Sequence, residues 1–380
     1  MKYKVPFVNY PLQYHLIKKE IDEAIFRCLN NGDLVYRSDQ EKFEKEFAVF
    51  NGAKYGIGTG SCTGAMYISL RAGGIGLGDE VITVAHTYVA TIDVIVHCGA
   101  VPILVDVGEN FNMNMDLVEK NITSKTKAIM PVHLNGRMCE MDKLMEIAEK
   151  HNLLVIEDAA QASGAKFKGK GAGSFGFTGC FSFYPAKVLG CFGEGGMVIT
   201  SDPELARKLF LFRDHGELPS YLKSPEKMRE KIIYCWGYNT ILDNLQCAVM
   251  NAKLKHLPKW IERRREIASI YNKGLSDIPN VIPPPAPLNS LYFDVYQHYV
   301  IRAERRDELV EFLEKNGVEI LVSWAIPNHR QEALETLHRF NLPVTDQISK
   351  EVLSLPIYPE LTDEQVSYVV DVIHDFYRRK

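Results

Sequence analysis

Apolar residues recur at helical spacing between residues 13 and 31, at Leu16, Ile17, Ile21, Ile25 and Phe26. The pattern stops at Asn30-Asn31-Gly32-Asp33, so it predicts one helix over 13–31. A second helix is predicted from about Asp39 to Phe50. Beyond it, short apolar runs alternate with helical segments. The runs cover 55–59, 81–84, 101–105, 128–131, 153–156, 180–183 and 196–200. The helical segments fall near 62–72, 88–97, 115–120 and 140–151. Strands alternating with helices imply an α/β fold: a mostly parallel sheet covered on both faces. One long helix is predicted over about 243–275, and Pro283-Pro-Pro-Ala-Pro287 marks a break. After it come a strand at 296–303, a helix at 306–316 and a strand at 318–322. The expected division is a large domain over 1–250 and a smaller C-terminal α+β domain over 251–380.

Composition narrows the function. Basic and acidic residues number 44 and 48, a net charge of −4, which argues against nucleic-acid binding by bulk charge. No run approaches the roughly 20 apolar residues of a membrane span. The N-terminus lacks the apolar core of a signal peptide, so a cytoplasmic protein is expected. Eight scattered cysteines, with no C-x-x-C pair, suit reduced thiols there, and no metal site is expected.

The candidate chemistry centres on Lys187, in Phe181-Ser-Phe-Tyr-Pro-Ala-Lys187-Val-Leu-Gly-Cys-Phe-Gly-Glu-Gly-Gly196. Upstream, Val155-Ile-Glu-Asp158-Ala-Ala-Gln161 reads as a buried strand ending in an acid. A lysine amine forms a Schiff base with a carbonyl, and an aspartate can hold a protonated pyridine nitrogen. These are the two groups a pyridoxal phosphate enzyme most needs. In parallel sheets ligands collect beyond the carboxyl ends of the strands, where Asp158, Ser182 and Lys187 are predicted.

Gly58-Thr-Gly-Ser61-Cys62-Thr63-Gly64 at a strand-to-helix junction offers amides, and the Ser61 or Thr63 hydroxyl, to a phosphate. The alternative is a capped helix start and nothing more. Ser182 can donate to the same phosphate. Tyr88 can stack on a pyridine ring, or belong to the core. His86 lies beside it. Gln161 can bond a ring hydroxyl. Asp158 can instead cap a helix, and Lys187 can be an ordinary surface lysine.

Taken in order, these segments resemble the DegT/DnrJ/EryC1/StrS family, sugar aminotransferases of fold-type I. The likeness runs over nearly the whole chain. It includes Gly76-Leu-Gly-Asp-Glu-Val81, Thr87-Tyr-Val-Ala-Thr91, Pro131-Val-His-Leu-Asn-Gly136, Glu157-Asp-Ala-Ala-Gln161, Ser182-Phe-Tyr-Pro-Ala-Lys187, Gly193-Glu-Gly-Gly196 and Ser354-Leu-Pro-Ile-Tyr-Pro359. The resemblance implies Lys187 as the Schiff-base lysine and Asp158 as partner of the ring nitrogen. It implies Gln161 at the ring hydroxyl and Tyr88 on the ring. The Cys62 and Thr63 amides and the Ser182 hydroxyl would hold the phosphate. Asn239 would reach the phosphate of a neighbouring subunit, so a homodimer with shared sites is implied. Relatives with histidine at the lysine position act as dehydratases, so Lys187 favours transamination.

Four departures concern mainly the acceptor side. Ile241 stands where relatives carry a basic residue, and Ser61-Cys62-Thr63 replaces Ser-Gly-Thr. Ser323-Trp324-Ala325 replaces His-Tyr-Pro, and Phe177 replaces an aspartate. Candidate substrate contacts are therefore His86, Ile241, Ser323, Trp324 and His329. The leading expectation is transfer of an amino group from an amino acid, L-glutamate, to a nucleotide-linked keto sugar for surface polysaccharide or glycoconjugate synthesis. The lost cation and histidine point away from 4-keto-6-deoxy sugars, toward a 3-keto sugar or a small phosphorylated ketone. A cofactor-binding regulator without turnover and a lysine-retaining dehydratase are the remaining alternatives.

Overall fold

The computed structural model describes residues 3–219, 222–223, 230–286 and 291–378. Seven strands form the central sheet. They are β1 (Tyr55–Thr59), β2 (Glu80–Val84), β3 (Val101–Val105), β4 (Thr126–Ile129), β5 (Leu154–Asp158), β6 (Thr178–Ser182) and β7 (Gly196–Thr200). Their spatial order is β1-β7-β6-β5-β4-β2-β3. β7 is antiparallel to both its neighbours, and the other pairings are parallel. The seven strands predicted between residues 55 and 200 are all present, shifted by no more than two residues at either end.

Alternation along the strands shows that both faces are buried. Val155, Phe181 and Ile199 face one core, with Phe43 and Phe47 from the helix Ser38–Phe50. Ile156, Cys180 and Val198 face another, with Ala65 and Ile68 from the helix Cys62–Ala72. Successive strand residues point to opposite faces, so a sheet covered twice needs apolar residues at every position. That requirement explains why these runs read as unbroken Val, Ile and Phe.

Three expectations change. The helix over 13–31 is two, Tyr10–Leu16 and Lys18–Asn31, because buried Ile17 leaves helical geometry at φ −121°, ψ 20°. The helix over 243–275 is also two, Asn244–Leu254 and Leu257–Leu275. Pro258 lies in the first turn of the second, where its missing N–H costs nothing but where an earlier turn cannot run through it. The strand at 318–322 reduces to isolated bridges, Val318 to Val5 and Leu321 to Ser354.

The C-terminal half builds a separate three-stranded sheet from β8 (Val281–Ile282), β9 (Tyr299–Ala303) and β10 (Val352–Leu355). Its core gathers Tyr271, Tyr299, Leu309, Leu353, Val366 and Ile373. The helix Leu257–Leu275 joins both halves. Leu257, Trp260 and Ile261 lie in the large core, while Ile267, Tyr271 and Leu275 lie in the small one. Residues 283–286 carry no regular structure, and Pro287 lies outside the described residues.

Glu157 fixes the approach to β6. It is fully buried, and its carboxylate accepts from the backbone N–H groups of Gly173, Phe175 and Gly176 at 2.8, 2.8 and 2.9 Å. His133 Nε2 lies 2.9 Å from the same carboxylate. The Cys139 N–H donates to His133 Nδ1, so that nitrogen keeps its lone pair and Nε2 carries the proton toward Glu157. Replacing Glu157 with Leu leaves three N–H groups unpaired, that of Gly173 buried and those of Phe175 and Gly176 partly buried. The expected loss is about 3–5 kcal/mol, read as a lower urea midpoint. An unchanged midpoint contradicts this account of the loop.

Candidate active site

Register places the phosphate-side residues. Thr59 of β1 pairs with Gly196 of β7, and Gly196 pairs with Ser182 of β6. One row of the sheet therefore ends in the Gly60–Thr63 turn on one side and in Ser182 on the other. Gly196 must lack a side chain: a Cβ there would lie 2.5 Å from the Cys62 backbone nitrogen. The turn runs into the helix Cys62–Ala72, whose N-cap is Ser61, with Ser61 Oγ accepting from the Gly64 N–H. The Cys62 and Thr63 N–H groups, one and two residues into the helix, have no intrahelical acceptor. They face outward with the positive end of the helix dipole, an arrangement that suits a phosphate. Burial pushes the Cys62 thiol well above its usual range, so this residue offers its amide and not a thiolate.

The 239–241 segment packs on the same turn. Gly60 N–H lies 3.2 Å from both the carbonyl and the hydroxyl oxygen of Thr240. A hollow of about 550 Å³ is lined by Ser61, Thr63, Tyr67, Asp93, Asn239 and Ile241, among others. Asn239 is exposed on its wall.

Asp158 ends β5 and is buried. Thr91 Oγ1 donates to one carboxylate oxygen at 2.8 Å, and the Ala160 N–H to the other at 3.1 Å. Burial raises its pKa, against the opposing pull of Thr91, Ala160 and Lys187. Lys187 is shifted the other way, again chiefly by burial, with Cys62 and Asp158 favouring its charged form. Its amine makes no hydrogen bond among the described residues. The fold thus brings together three residues far apart in sequence, Cys62, Asp158 and Lys187. It starves the acid and the amine of water and gives neither a full partner. A group carrying a protonated ring nitrogen and a carbonyl satisfies both.

The other predicted cofactor residues have these partners. Gln161 Oε1 accepts from the Asn135 N–H at 2.8 Å, which leaves its Nε2 to donate. Tyr88 is 66% exposed, so it is not a core aromatic. Its carbonyl accepts from the Thr91 N–H at 3.2 Å, and the Thr91 hydroxyl in turn holds Asp158. Ser182 Oγ lies 3.3 Å from the Tyr184 N–H.

The substrate-side candidates divide. His86 is buried between Phe111 and Trp324, with ring centroids 6.3 and 5.6 Å away. Burial lowers its pKa to about 4, so it is neutral at pH 7. Trp324 is half-buried in a left-handed backbone conformation, φ 55°. Asn328 ties this segment to the strand end before Tyr88, donating from Nδ2 to the Ala85 and Thr87 carbonyls at 3.1 and 2.8 Å. Ser323 is half-buried nearby in sequence, whereas Ile241 lies on the wall with Ser61 and Asn239. His329 is buried like His86, with Nε2 3.1 Å from Asp346 but not aligned for a hydrogen bond.

Several contributors were not singled out from sequence. Thr91 stood inside a quoted motif, and its four-residue spacing from Thr87 places the two hydroxyls 3.0 Å apart. Glu157 adjoins Asp158, and two acids ending one apolar strand signal two buried partners. Lys253 carries a depressed pKa of about 8 caused by burial. Its amine is committed, donating to the Gly190 carbonyl at 2.7 Å and lying over the Phe192 ring. Among the described residues Lys187, by contrast, makes no hydrogen bond through its amine and interacts electrostatically with Asp158.

Comparison with known proteins shows the family. A model of the DegT/DnrJ/EryC1/StrS aminotransferase family matches residues 15–374. The chain is 40% identical to a pleiotropic regulatory protein from Geobacillus stearothermophilus, over 98% of this chain and 99% of that one. It is 38% identical to a dTDP-3-amino-3,4,6-trideoxy-alpha-D-glucose transaminase from Streptomyces venezuelae, covering 99% and 97%. It is 37% identical to a UDP-N-acetyl-3-dehydro-alpha-D-glucosamine 3-aminotransferase from Acidithiobacillus ferrooxidans, covering 97% of each. The crystal structure of S. venezuelae DesV with a ketimine intermediate superposes with a TM-score of 0.92 at 37% identity, covering 99% of both chains. Other solved neighbours hold the cofactor as pyridoxal or pyridoxamine phosphate. The chain therefore belongs to the DegT/DnrJ/EryC1/StrS family and is a pyridoxal phosphate-dependent aminotransferase.

Proposed function

We propose that this enzyme moves an amino group from L-glutamate to C3 of a nucleotide-linked keto sugar. The observation that carries the transaminase reading is the uncommitted Lys187 amine beside buried Asp158, at the carboxyl edge of the sheet. The acceptor reading is supported by two relatives whose names specify dTDP- or UDP-linked sugars aminated at C3. It also agrees with the departures at Ile241 and 323–325. No observation favours a small phosphorylated ketone.

When bound, pyridoxal phosphate supplies a carbonyl that amines can take up and a ring that draws off electrons. In this reading Lys187 holds the carbonyl between turnovers and then moves the proton at the reacting carbon. Asp158 keeps the ring nitrogen protonated, and Thr91 holds Asp158. Gln161 donates to the ring hydroxyl, and Tyr88 covers the ring. Ser61, the Cys62 and Thr63 amides and Ser182 bind the phosphate. His86, Trp324, Ser323 and Ile241 line the acceptor side. Asn239 serves the site of a second copy in a homodimer, whose contact would cover exposed Tyr88, Tyr184 and Tyr238. We place the division between the two domains near residue 250. We also place the enzyme in the cytoplasm, making amino sugars for surface polysaccharide or glycoconjugates. Two observations fit that location: among the described residues no helix is long and apolar enough to cross a membrane, and all eight cysteines are free thiols.

A second reading, a regulator without turnover, has one observation in its favour, the name of the Geobacillus relative. Supplying glutamate with a panel of acceptors separates the two. We expect product amine from a nucleotide-linked 3-keto sugar at a kcat/KM at least tenfold above that for its 4-keto isomer or a small keto phosphate. Preference for the 4-keto-6-deoxy sugar sinks the C3 assignment, and no amine from any acceptor favours the regulator.

Two further outcomes are expected. Lys187→Ala lowers transfer by about 10³-fold or more, and Asp158→Asn by about 10²-fold. Activity within tenfold of the parent in either variant contradicts the assigned role. In the cofactor-free protein, burial depresses the Lys187 pKa, so its neutral, nucleophilic form appears at lower pH than in a free lysine. The rate of pyridoxal phosphate loading should therefore rise with pH through a midpoint below 10.5, the ordinary lysine value. A midpoint at or above that value would show the amine in water.

A further inference from the structure

The segment between Ser182 and Gly196 that carries Lys187 has no regular secondary structure. Within it the Lys187 N–H donates to the Tyr184 carbonyl at 2.9 Å and the Cys191 N–H to the Phe183 carbonyl at 2.8 Å, and further bonds come from elsewhere. One side chain supplies two of them, on either side of the lysine. Gln297 Nε2 donates to the Ala186 carbonyl at 2.8 Å, and Gln297 Oε1 accepts from the Val188 N–H at 2.7 Å. The carboxamide orientation is fixed, because one atom must donate and the other accept. Gln297 is itself buried.

Its backbone is held just as closely. Buried Arg264 donates from Nη1 to the Tyr296 carbonyl at 2.9 Å and lies 3.4 Å from that of Gln297, while also reaching the Ile357 carbonyl. On the opposite side Gly136, at φ 90°, packs so tightly that a Cβ would fall 2.7 Å from the Gln297 nitrogen. Val295 N–H donates to the Gly136 carbonyl at 3.0 Å. Gly136 follows Asn135, whose N–H bonds Gln161. Gln297 thus sits between the Gln161 side of the site and the Lys187 segment.

We propose that Gln297 is a positioning residue for the Lys187 amine, acting through the two peptide groups that flank the lysine. The proposal rests on the reading of Lys187 as the cofactor-carrying amine. The lever is geometric. The lysine nitrogen lies about 6 Å from its Cα, so a backbone tilt of about 10° moves it by about 1 Å. A displacement of that size costs about 10²-fold in rate. Lys253 braces the same segment further on, at Gly190, and does not touch the peptides beside Lys187. The C-terminal half of the chain thereby aims a catalytic group that the N-terminal half carries.

The test uses the full-length chain with Gln297→Met and Gln297→Glu. Methionine keeps the length and removes both bonds. Glutamate keeps the acceptor for Val188 but sets an oxygen against the Ala186 carbonyl. Hydrogen exchange of the cofactor-free protein reads the clamp, transfer kinetics read its effect, and the pH midpoint for chemical labelling of Lys187 reads the amine. We expect Gln297→Met to speed exchange at Val188 by at least tenfold. Its kcat should fall about 10²-fold with the glutamate KM within twofold, and the labelling midpoint should move up toward that of free lysine. Gln297→Glu should keep Val188 protected yet still lose about tenfold or more in kcat. Unchanged Val188 exchange in Gln297→Met overturns the proposal, as does faster exchange with kcat and labelling midpoint unmoved. If Gln297→Met does not fold, Gln297→Glu decides, and parental kcat in that variant overturns the proposal. If the parent chain transfers no amine, the functional reading fails, but exchange and labelling still decide the role of Gln297.

Discussion

Asp158 is a carboxylate that the fold keeps out of water with two hydrogen bonds and no full countercharge. Lys187, close enough to feel its charge, is an amine kept out of water with no hydrogen bond among the described residues. An unpaired buried charge is costly, so burial disfavours the charged form of each group. That shared deficit is the constraint on which the rest of the site depends. A ligand that brings a positive ring nitrogen to one and a carbonyl to the other relieves both. The chemistry follows from what the protein withholds as much as from what it provides.

The sheet makes this possible. Its parallel strands deliver Asp158, Ser182 and the Gly60–Thr63 turn to one edge, and the single antiparallel strand β7 lets Gly196 sit directly against the turn. Around that edge the bracing comes from distant parts of the chain. Thr91 holds the acid, Glu157 the loop into β6, Lys253 the far end of the lysine segment and Gln297 its centre. None of these four needs to touch a substrate. Each removes a freedom that would let the acid or the amine drift.

Much of this was legible in the sequence, and the limits have physical causes. Doubly buried strands leave continuous apolar runs, so all seven were readable, and so was the acid ending one of them. Lys187 was readable because its surroundings are unlike those of a surface lysine. The break at Ile17 was not, because the apolar spacing continues across it, whereas the break at Lys255-His256 was marked by Pro258 but masked by apolar spacing that runs on. The run at 318–322 looks like a strand but finds partners at single residues only. Gln297 carried no local signal at all, since its partners lie about 110 positions away.

Two lysines with depressed pKa values reach this segment, Lys187 within it and Lys253 from the helix Asn244–Leu254. The account assigns the cofactor to the first and a structural bond to the second. Borohydride reduction of the cofactor-loaded protein, followed by peptide mass mapping, decides between them. The account predicts the added mass on the peptide containing Lys187 and none on that containing Lys253. Label on Lys253, or on neither lysine in a protein that has taken up the cofactor, would contradict it.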